Sequence, residues 1–448
     1  MAAIPFPWPA TQVVDSLVQK SSGYFIYAST IIKFIDDRDF RPTERLKVIM
    51  GIKEADDESP FAALDLLYTQ ILSQIPACHR LLRILTVVTA RFDLSIGHIE
   101  QLLGLEPGDV RLTLRGLHSL IHVRKSPSIM EDSGNRDDSF NLGIFVHHAS
   151  FYDFLQDPRR AGIFCTGCDS CKTDLSRCIF QKLSYPKTSS TQADHLVWYL
   201  DGHFALEYII SSEPSSDLIS LLCSFDPEPL FRYHPRHEII DGVLNWLKKS
   251  QPLPEDLIQV WQEYKFMDYF ESIVAPEADQ VTQEDWNRSY QVLSQASPLL
   301  LRILRAGTLI YKRHSDPTGT FFVLFDIHFL LDISWDELRM AICSLRSFTD
   351  GEIANIFVVA KESARSAANF GPLMLDLTRG ALRLVQKVLR AEWPSGIKIH
   401  AHWSWYLQQC PPSLHLLQDV QPLAIHHPCF QASDHQRIIQ WLKVSIRT

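Results

Sequence analysis

At 448 residues, 46% of them apolar and 21% charged, the chain has the balance of an ordinary globular protein, with room for two to four domains at roughly 150 residues each. Its formal net charge of −9 argues against a general nucleic-acid binder, which would carry a basic face. No run is long and apolar enough for a membrane span, the opening MAAIPFPWPATQ lacks a basic segment followed by an apolar one, and nine cysteines in a chain this long do not make a disulfide scaffold. A reducing, intracellular and cytoplasmic setting is expected.

Residues 1–12 carry three prolines and read as irregular, since proline removes donors and fixes φ. Residues 13–36 are helical in pattern, with Phe25, Ala28, Ile31, Ile32 and Ile35 as the apolar stripe and Gly23 as a break or hinge. A short helix follows over Arg41 to Ile52. Ser59 and Pro60 read as cap and first turn of the next, which buries Phe61, Leu64, Leu67, Tyr68, Ile71, Leu72 and Ile75 and stops at Pro76. Residues 79–92 form another helix, with Leu82, Leu85, Val87 and Val88 inside. Ser95 caps a short helix buried through Ile99, Leu102 and Leu103 and closed by Gly104. Pro107 opens the next, which carries Val110, Leu114, Leu117 and Leu120. Ile121–Val123 reads as a strand, 125–139 as a polar loop, and 143–148 as a returning strand. Helix, helix, helix, strand, wing, strand is a winged-helix order.

The most informative stretch is GIFVHHASFYDFL, residues 143–155. Ile144 and Val146 alternate with Phe145 and His147, the period of a half-buried strand. Ser150 then reads as a helix N-cap with Asp153 three residues on, and Tyr152 and Leu155 share a helical face. His148 ends the strand, where a half-buried, hydrogen-bonded histidine is the plainer reading.

VHHASFYDFLQDPRRAGIF resembles the segment that closes the winged-helix subdomain in NACHT-type signalling ATPases (members of the STAND class), above all those of mushroom-forming fungi. SSGYFIYASTIIKFI (21–35) resembles the helix that opens the helical subdomain behind their ATPase core, and SPFAALDLLYTQILSQIP (59–76) the helix after it. The resemblance covers roughly residues 15–165, and it implies that His148 is the residue that senses the phosphates of a bound nucleotide. The sequence departs from the family at the core itself. No G-x-x-x-x-G-K-[ST] loop occurs, nor any Gly-Lys-Ser or Gly-Lys-Thr, so the backbone cradle and lysine that hold phosphates are missing. The chain reads as beginning after the ATPase core. ADP or ATP is therefore not expected as a cofactor, and His148 has nothing to sense.

Arg111, Arg115, Arg124 and Lys125 are the candidates for reading DNA through a winged helix. Glu131, Asp132, Asp137 and Asp138 in the wing oppose it by repelling phosphate. Cys165, Cys168, Cys171 and Cys178 form the densest cysteine cluster. C-x2-C is half of a zinc knuckle, with His147 or His148 as a further ligand; the plainer reading makes Cys178 a small core residue and leaves the other three reduced in a loop.

From 172 to 275 the chain is mostly helical, and 286–448 shows helical patterns at 288–305, 335–346, 370–391, 413–418 and 434–446. Residues 319–331 and 397–405 read as strands, and His400, His402 and the HHPC of 426–429 raise a second metal site. The expected fold is mainly α: a helical subdomain and a winged helix with a small two-stranded β wing, then an α-helical array, with α+β character at the C-terminal end left open. The expected domains are a post-NACHT helical segment (1–76), a winged-helix-like domain (77–164), a helical region (165–275) and a C-terminal mainly helical domain (276–448). No catalytic motif is found. The expected function is that of a non-catalytic protein-interaction module, with intact NACHT relatives among the partners. A nucleotide-dependent regulator and a DNA-binding winged helix are the alternatives.

Overall fold

The computed structural model describes residues 8–21, 24–51, 61–125, 138–184, 196, 200, 202–231, 236–274, 281–313, 323–389, 403–410, 414–420 and 432–445. The chain divides into two compact units, Met1–Lys182 with Ser211–Glu213, and Leu183–Ile210 with Pro214–Thr448. The finer boundaries read at 76 and 164 fall inside the first unit, and that at 275 inside the second. The fold is mainly α with one small two-stranded antiparallel sheet. No helix among the described residues is long and apolar enough to cross a membrane.

The first unit opens with α1 (Thr11–Ser21), α2 (Phe25–Ile35), α3 (Pro42–Met50) and α4 (Ala62–Leu72). Tyr27, Thr30, Ile31 and Phe34 are the buried face of α2. The stripe read from the sequence is therefore rotated: Phe25 is 84% exposed and Ile32 66%. Polar Thr30 lies inside and two large apolar residues outside, which periodicity alone could not show. Arg45 of α3 is buried, paired with Asp37 at 3.0 Å and held between the rings of Phe34 (4.1 Å) and Phe40 (3.7 Å). In α4 the expected face is buried from Leu64 to Leu72, but Phe61 is exposed. The cap read at Ser59 and Pro60 lies outside the described residues.

The winged helix follows as α5 (Cys78–Ala90), α6 (Ile96–Leu103), α7 (Asp109–Leu114), β1 (Ile121–Lys125), β2 (Leu142–Val146) and α8 (Ala149–Gln156). Ser95 caps α6 by accepting from the His98 N–H, and Gly104 ends it in the left-handed region, as expected. The start of α7 differs from expectation. Its first N–H groups are met by the buried carboxylate of Glu100, which accepts from Gly108 at 2.9 Å and Val110 at 3.1 Å, so Glu100 rather than Pro107 sets the N-terminus. The strands pair Ile121 with Val146 and Lys125 with Leu142, and an isolated bridge from Ser95 to Gly143 adds a third strand residue between α5 and α6. Then come α9 (Pro158–Ala161) and α10 (Asp169–Leu183).

The second unit is helical in its described elements, beside one isolated antiparallel bridge between Ser184 and Phe225. It contains α11 (Gly202–Ile210), α12 (Ser216–Leu222), α13 (Glu228–Phe231), α14 (His237–Leu247), α15 (Glu255–Val274), α16 (Gln283–Gln295), α17 (Pro298–Arg313), α18 (Val323–Leu331), α19 (Trp335–Cys343), α20 (Asp350–Arg365), α21 (Ala367–Leu389), α22 (Trp403–Gln409), α23 (Leu414–Val420) and α24 (Ala432–Ser445). The strand read over 319–331 is corrected to a helix from Val323, whose buried Leu324, Phe325, Ile327, Leu330 and Leu331 pack all round it. A short helix buried on every side has no period to betray it. The strand read at 397–405 is likewise helical from Trp403, and 397–402 lie outside the described residues, as do His400, His402 and 426–429. The pattern at 288–305 is two helices, broken before Pro298. Helices α18 and α21 cross closely at Gly380, where a Cβ would stand 2.0 Å from the Leu330 carbonyl oxygen. Arg236 is the buried ionic centre of this unit, reaching Glu271 at 2.6 Å, Asp268 at 3.2 Å and the Phe231 carbonyl at 3.2 Å.

Candidate functional site

Strand β2 delivers His147 and His148 to the start of α8. His148 is extended, and its Nδ1 accepts from the Ser150 N–H at 3.1 Å. The cap of α8 is therefore His148, and Ser150, read as the cap, already lies in the first turn. This acceptor role fixes the rest. The Ser150 hydroxyl lies 2.7 Å from the same Nδ1 and so donates to it, and it accepts in turn from the Tyr68 phenol at 2.9 Å. Burial holds the Tyr68 phenol above its ordinary range, which keeps it a donor at neutral pH. With Nδ1 an acceptor, neutral His148 carries its proton on Nε2, and its side chain is on the exposed surface.

Beneath this relay α4 and α8 share a seam. Tyr68 meets Phe151 at 5.1 Å and Phe154 at 5.3 Å, both edge-on. Arg160 of α9 grips Asp65 of α4 through two hydrogen bonds, of 2.9 and 2.8 Å. Stretches 59–76 and 143–155, distant in sequence, thus meet at their most characteristic residues.

Three other imidazoles line the neighbouring surface. His147 Nε2 donates to the His118 carbonyl at 2.9 Å, and its ring stacks at 4.7 Å on His122, which stacks at 5.5 Å on Phe145. Burial lowers the pKa of both His147 and His122, and nearby positive charge lowers both further. His118 donates to the Lys33 carbonyl and stands 3.2 Å from Asp37, tying α2 to the winged helix. Nearby a cleft of about 330 Å³ lies between the end of α5, β2 and α8. Arg91, over the Tyr152 ring at 4.8 Å, and Asp93 are the only charged residues lining it, and both have left-handed backbones. The cleft offers no nucleophile beside a base and no carboxylate pair.

The four cysteines do not converge. Cys168 and Cys171 both direct their thiols at the Cys165 carbonyl, at 3.3 and 3.5 Å. Cys178 lies two turns further along α10, buried, with its sulfur accepting from Arg83 at 3.2 Å; Arg83 also binds Asp174 at 2.8 Å. The four cysteines of the zinc reading are thus split by two turns of the helix. His147 and His148 stand at the opposite end of α8 from the residues that touch Cys165. Among the described residues no three His, Cys, Asp or Glu side chains are grouped to hold a metal ion.

All four basic candidates, Arg111, Arg115, Arg124 and Lys125, are exposed; Arg115 is paired with Asp39 at 2.7 Å and Arg124 covers the Phe145 ring at 4.4 Å. The helix in the reading position, α7, has six residues. The wing from 126 to 137 lies outside the described residues. No family model, curated protein or solved structure matches the chain.

Proposed function

We propose that this chain is a non-catalytic protein-interaction module of the NACHT type, acting through contacts made by its helical and winged-helix segments, with intact NACHT-type proteins as its partners. The observation that carries this reading is the α4–α8 seam. The two stretches that resemble the family meet there through Tyr68, Ser150 and Phe151. His148, the residue that the resemblance makes a phosphate sensor, here caps a helix and keeps an Nε2–H on the exposed side. The 448 residues hold no P-loop for it to report on.

The contact surface that best fits this role is the outer face of α2. Phe25 and Ile32 lie one heptad apart on that face and are largely exposed, with Tyr24 exposed just before them. The test is sedimentation velocity of the chain mixed with a purified intact NACHT-type protein. Co-sedimentation that Ile32→Glu weakens supports the reading. Independent sedimentation at micromolar concentration refutes it.

A further inference from the structure

The CTGCDSCK stretch belongs to no part of the proposed function, yet its geometry is specific. Cys168 occupies the N-cap position of α10, its carbonyl accepting from Lys172 at 3.1 Å, and Cys171 stands three residues on. Positions three apart on a helix hold their Cβ atoms about 5–6 Å apart, so closing a disulfide, whose Cβ atoms stand about 3.5–4.5 Å apart, draws the pair together by about 1–2 Å. Here the two sulfurs are brought to one acceptor: both donate to the Cys165 carbonyl, at 3.3 and 3.5 Å. Both side chains are partly exposed.

The turn before them is locked. Thr166 bonds the Leu155 carbonyl through both its N–H (2.8 Å) and its hydroxyl (3.1 Å), and Thr89 donates to that hydroxyl at 3.0 Å. Gly167 lies so close to α8 that a Cβ would stand 2.7 Å from the Gln156 carbonyl oxygen. Cys165 is turned away, its sulfur buried and 3.9 Å from that same oxygen. Of the two C-x2-C pairs in the stretch, the fold therefore prepares the second.

We propose that Cys168 and Cys171 are a reversible dithiol–disulfide couple, in which Cys168 attacks a low-molecular-weight disulfide such as glutathione disulfide and Cys171 resolves the product. The Cys168 thiolate displaces one glutathione thiolate and forms a mixed disulfide. Cys171 gives its proton to the departing thiolate, attacks the Cys168 sulfur and releases the second glutathione. The two protein thiols lose two electrons and two protons, and one glutathione disulfide becomes two glutathiones. The electrostatics agree with this division of labour. Burial raises the Cys168 thiol, but hydrogen bonds from Ser170, from the Cys171 thiol and from the N–H groups at the helix start outweigh it and bring it below the ordinary range. Burial, with the Cys168 hydrogen bond and charge added, pushes Cys171 up to about 12.

The experiment treats the full folded chain with excess glutathione disulfide, blocks remaining thiols and cuts with trypsin after Arg160 and Lys172. The 161–172 peptide then carries three of the four clustered cysteines. The expected result is a peptide short of two hydrogens in the unmodified chain and in Cys165→Ala, reopened by dithiothreitol. Cys171→Ser should instead stop at one glutathione on Cys168, and Cys168→Ser should react at least about tenfold more slowly. Three blocked thiols in the unmodified chain would overturn the proposal. So would loss of closure in Cys165→Ala, or closure no faster in the folded chain than in urea.

Discussion

Replacing Ser150 by alanine should loosen α8 more than its small size suggests. The change leaves the Tyr68 phenol, on a residue only 1% exposed, without the hydroxyl 2.9 Å away that accepts from it. An unsatisfied buried hydroxyl costs about 1–3 kcal/mol, whereas loss of a hydrogen bond with no orphan left behind costs about 0.5–1.5 kcal/mol. Ser150→Ala should therefore speed amide exchange in α8 by roughly 5- to 150-fold, at tenfold per 1.4 kcal/mol. Tyr68→Phe alone, which removes the phenol, should speed it by about fivefold. In the double variant no orphan remains, so α8 should exchange more slowly than in Ser150→Ala alone. Hydrogen exchange read by mass spectrometry is the right assay, because Trp8 is the only tryptophan in residues 1–182 and fluorescence reports the other unit. A double variant whose loss equals the sum of the two single losses would refute the relay from Tyr68 through Ser150 to His148.

Four further expectations follow from the same geometry. His148→Asn should keep α8 within about 0.5 kcal/mol, since asparagine caps as well, while His148→Ala should cost about 1 kcal/mol, both by exchange in α8. Arg236→Met should destabilise the second unit by about 3–5 kcal/mol in urea, followed by tryptophan emission, because Glu271 and Asp268 lose their buried counter-charge. Burial holds His328, stacked on Trp335 at 4.5 Å, below its ordinary pKa. The unfolded chain then binds the proton first, so stability of that unit should fall as pH drops below about 6.5, with a shallower slope in His328→Asn. Gly380→Ala should unfold the α18–α21 crossing or shift it, costing several kcal/mol in the same urea assay, since the added carbon meets backbone rather than a side chain that can move.

Much of the first unit was legible because its signals are local. Ser95 and Gly104 bracket α6 with a hydroxyl cap and a left-handed glycine, and the strand pair around the wing shows as alternation. What was not legible depends on partners far away in sequence. No pattern announces that Glu100 caps α7 from eight residues upstream, or that an imidazole rather than Ser150 caps α8. The outward turn of Phe25 and Ile32 was hidden because a face rich in isoleucine looks the same from either side. Helix α20 is legible in the sequence, though absent from the helical patterns expected above: Thr349 and Glu352 form a full capping box, with Ile353, Ile356, Phe357 and Ala360 buried behind it. At the cysteines the spacing left a zinc set of four open beside the plainer reading of Cys178 as a core residue. Helix geometry places Cys178 two turns away, buried on Arg83, and leaves Cys168 and Cys171 as a pair on the Cys165 carbonyl.

The chain is proposed to work by contact and without nucleotide. Equilibrium dialysis of the purified chain against labelled ATP and ADP with magnesium tests this most directly. No retention above that of a control protein is expected at micromolar nucleotide. One molecule of nucleotide retained per chain, and lost in His148→Ala, would contradict the proposal and make His148 a sensor in fact.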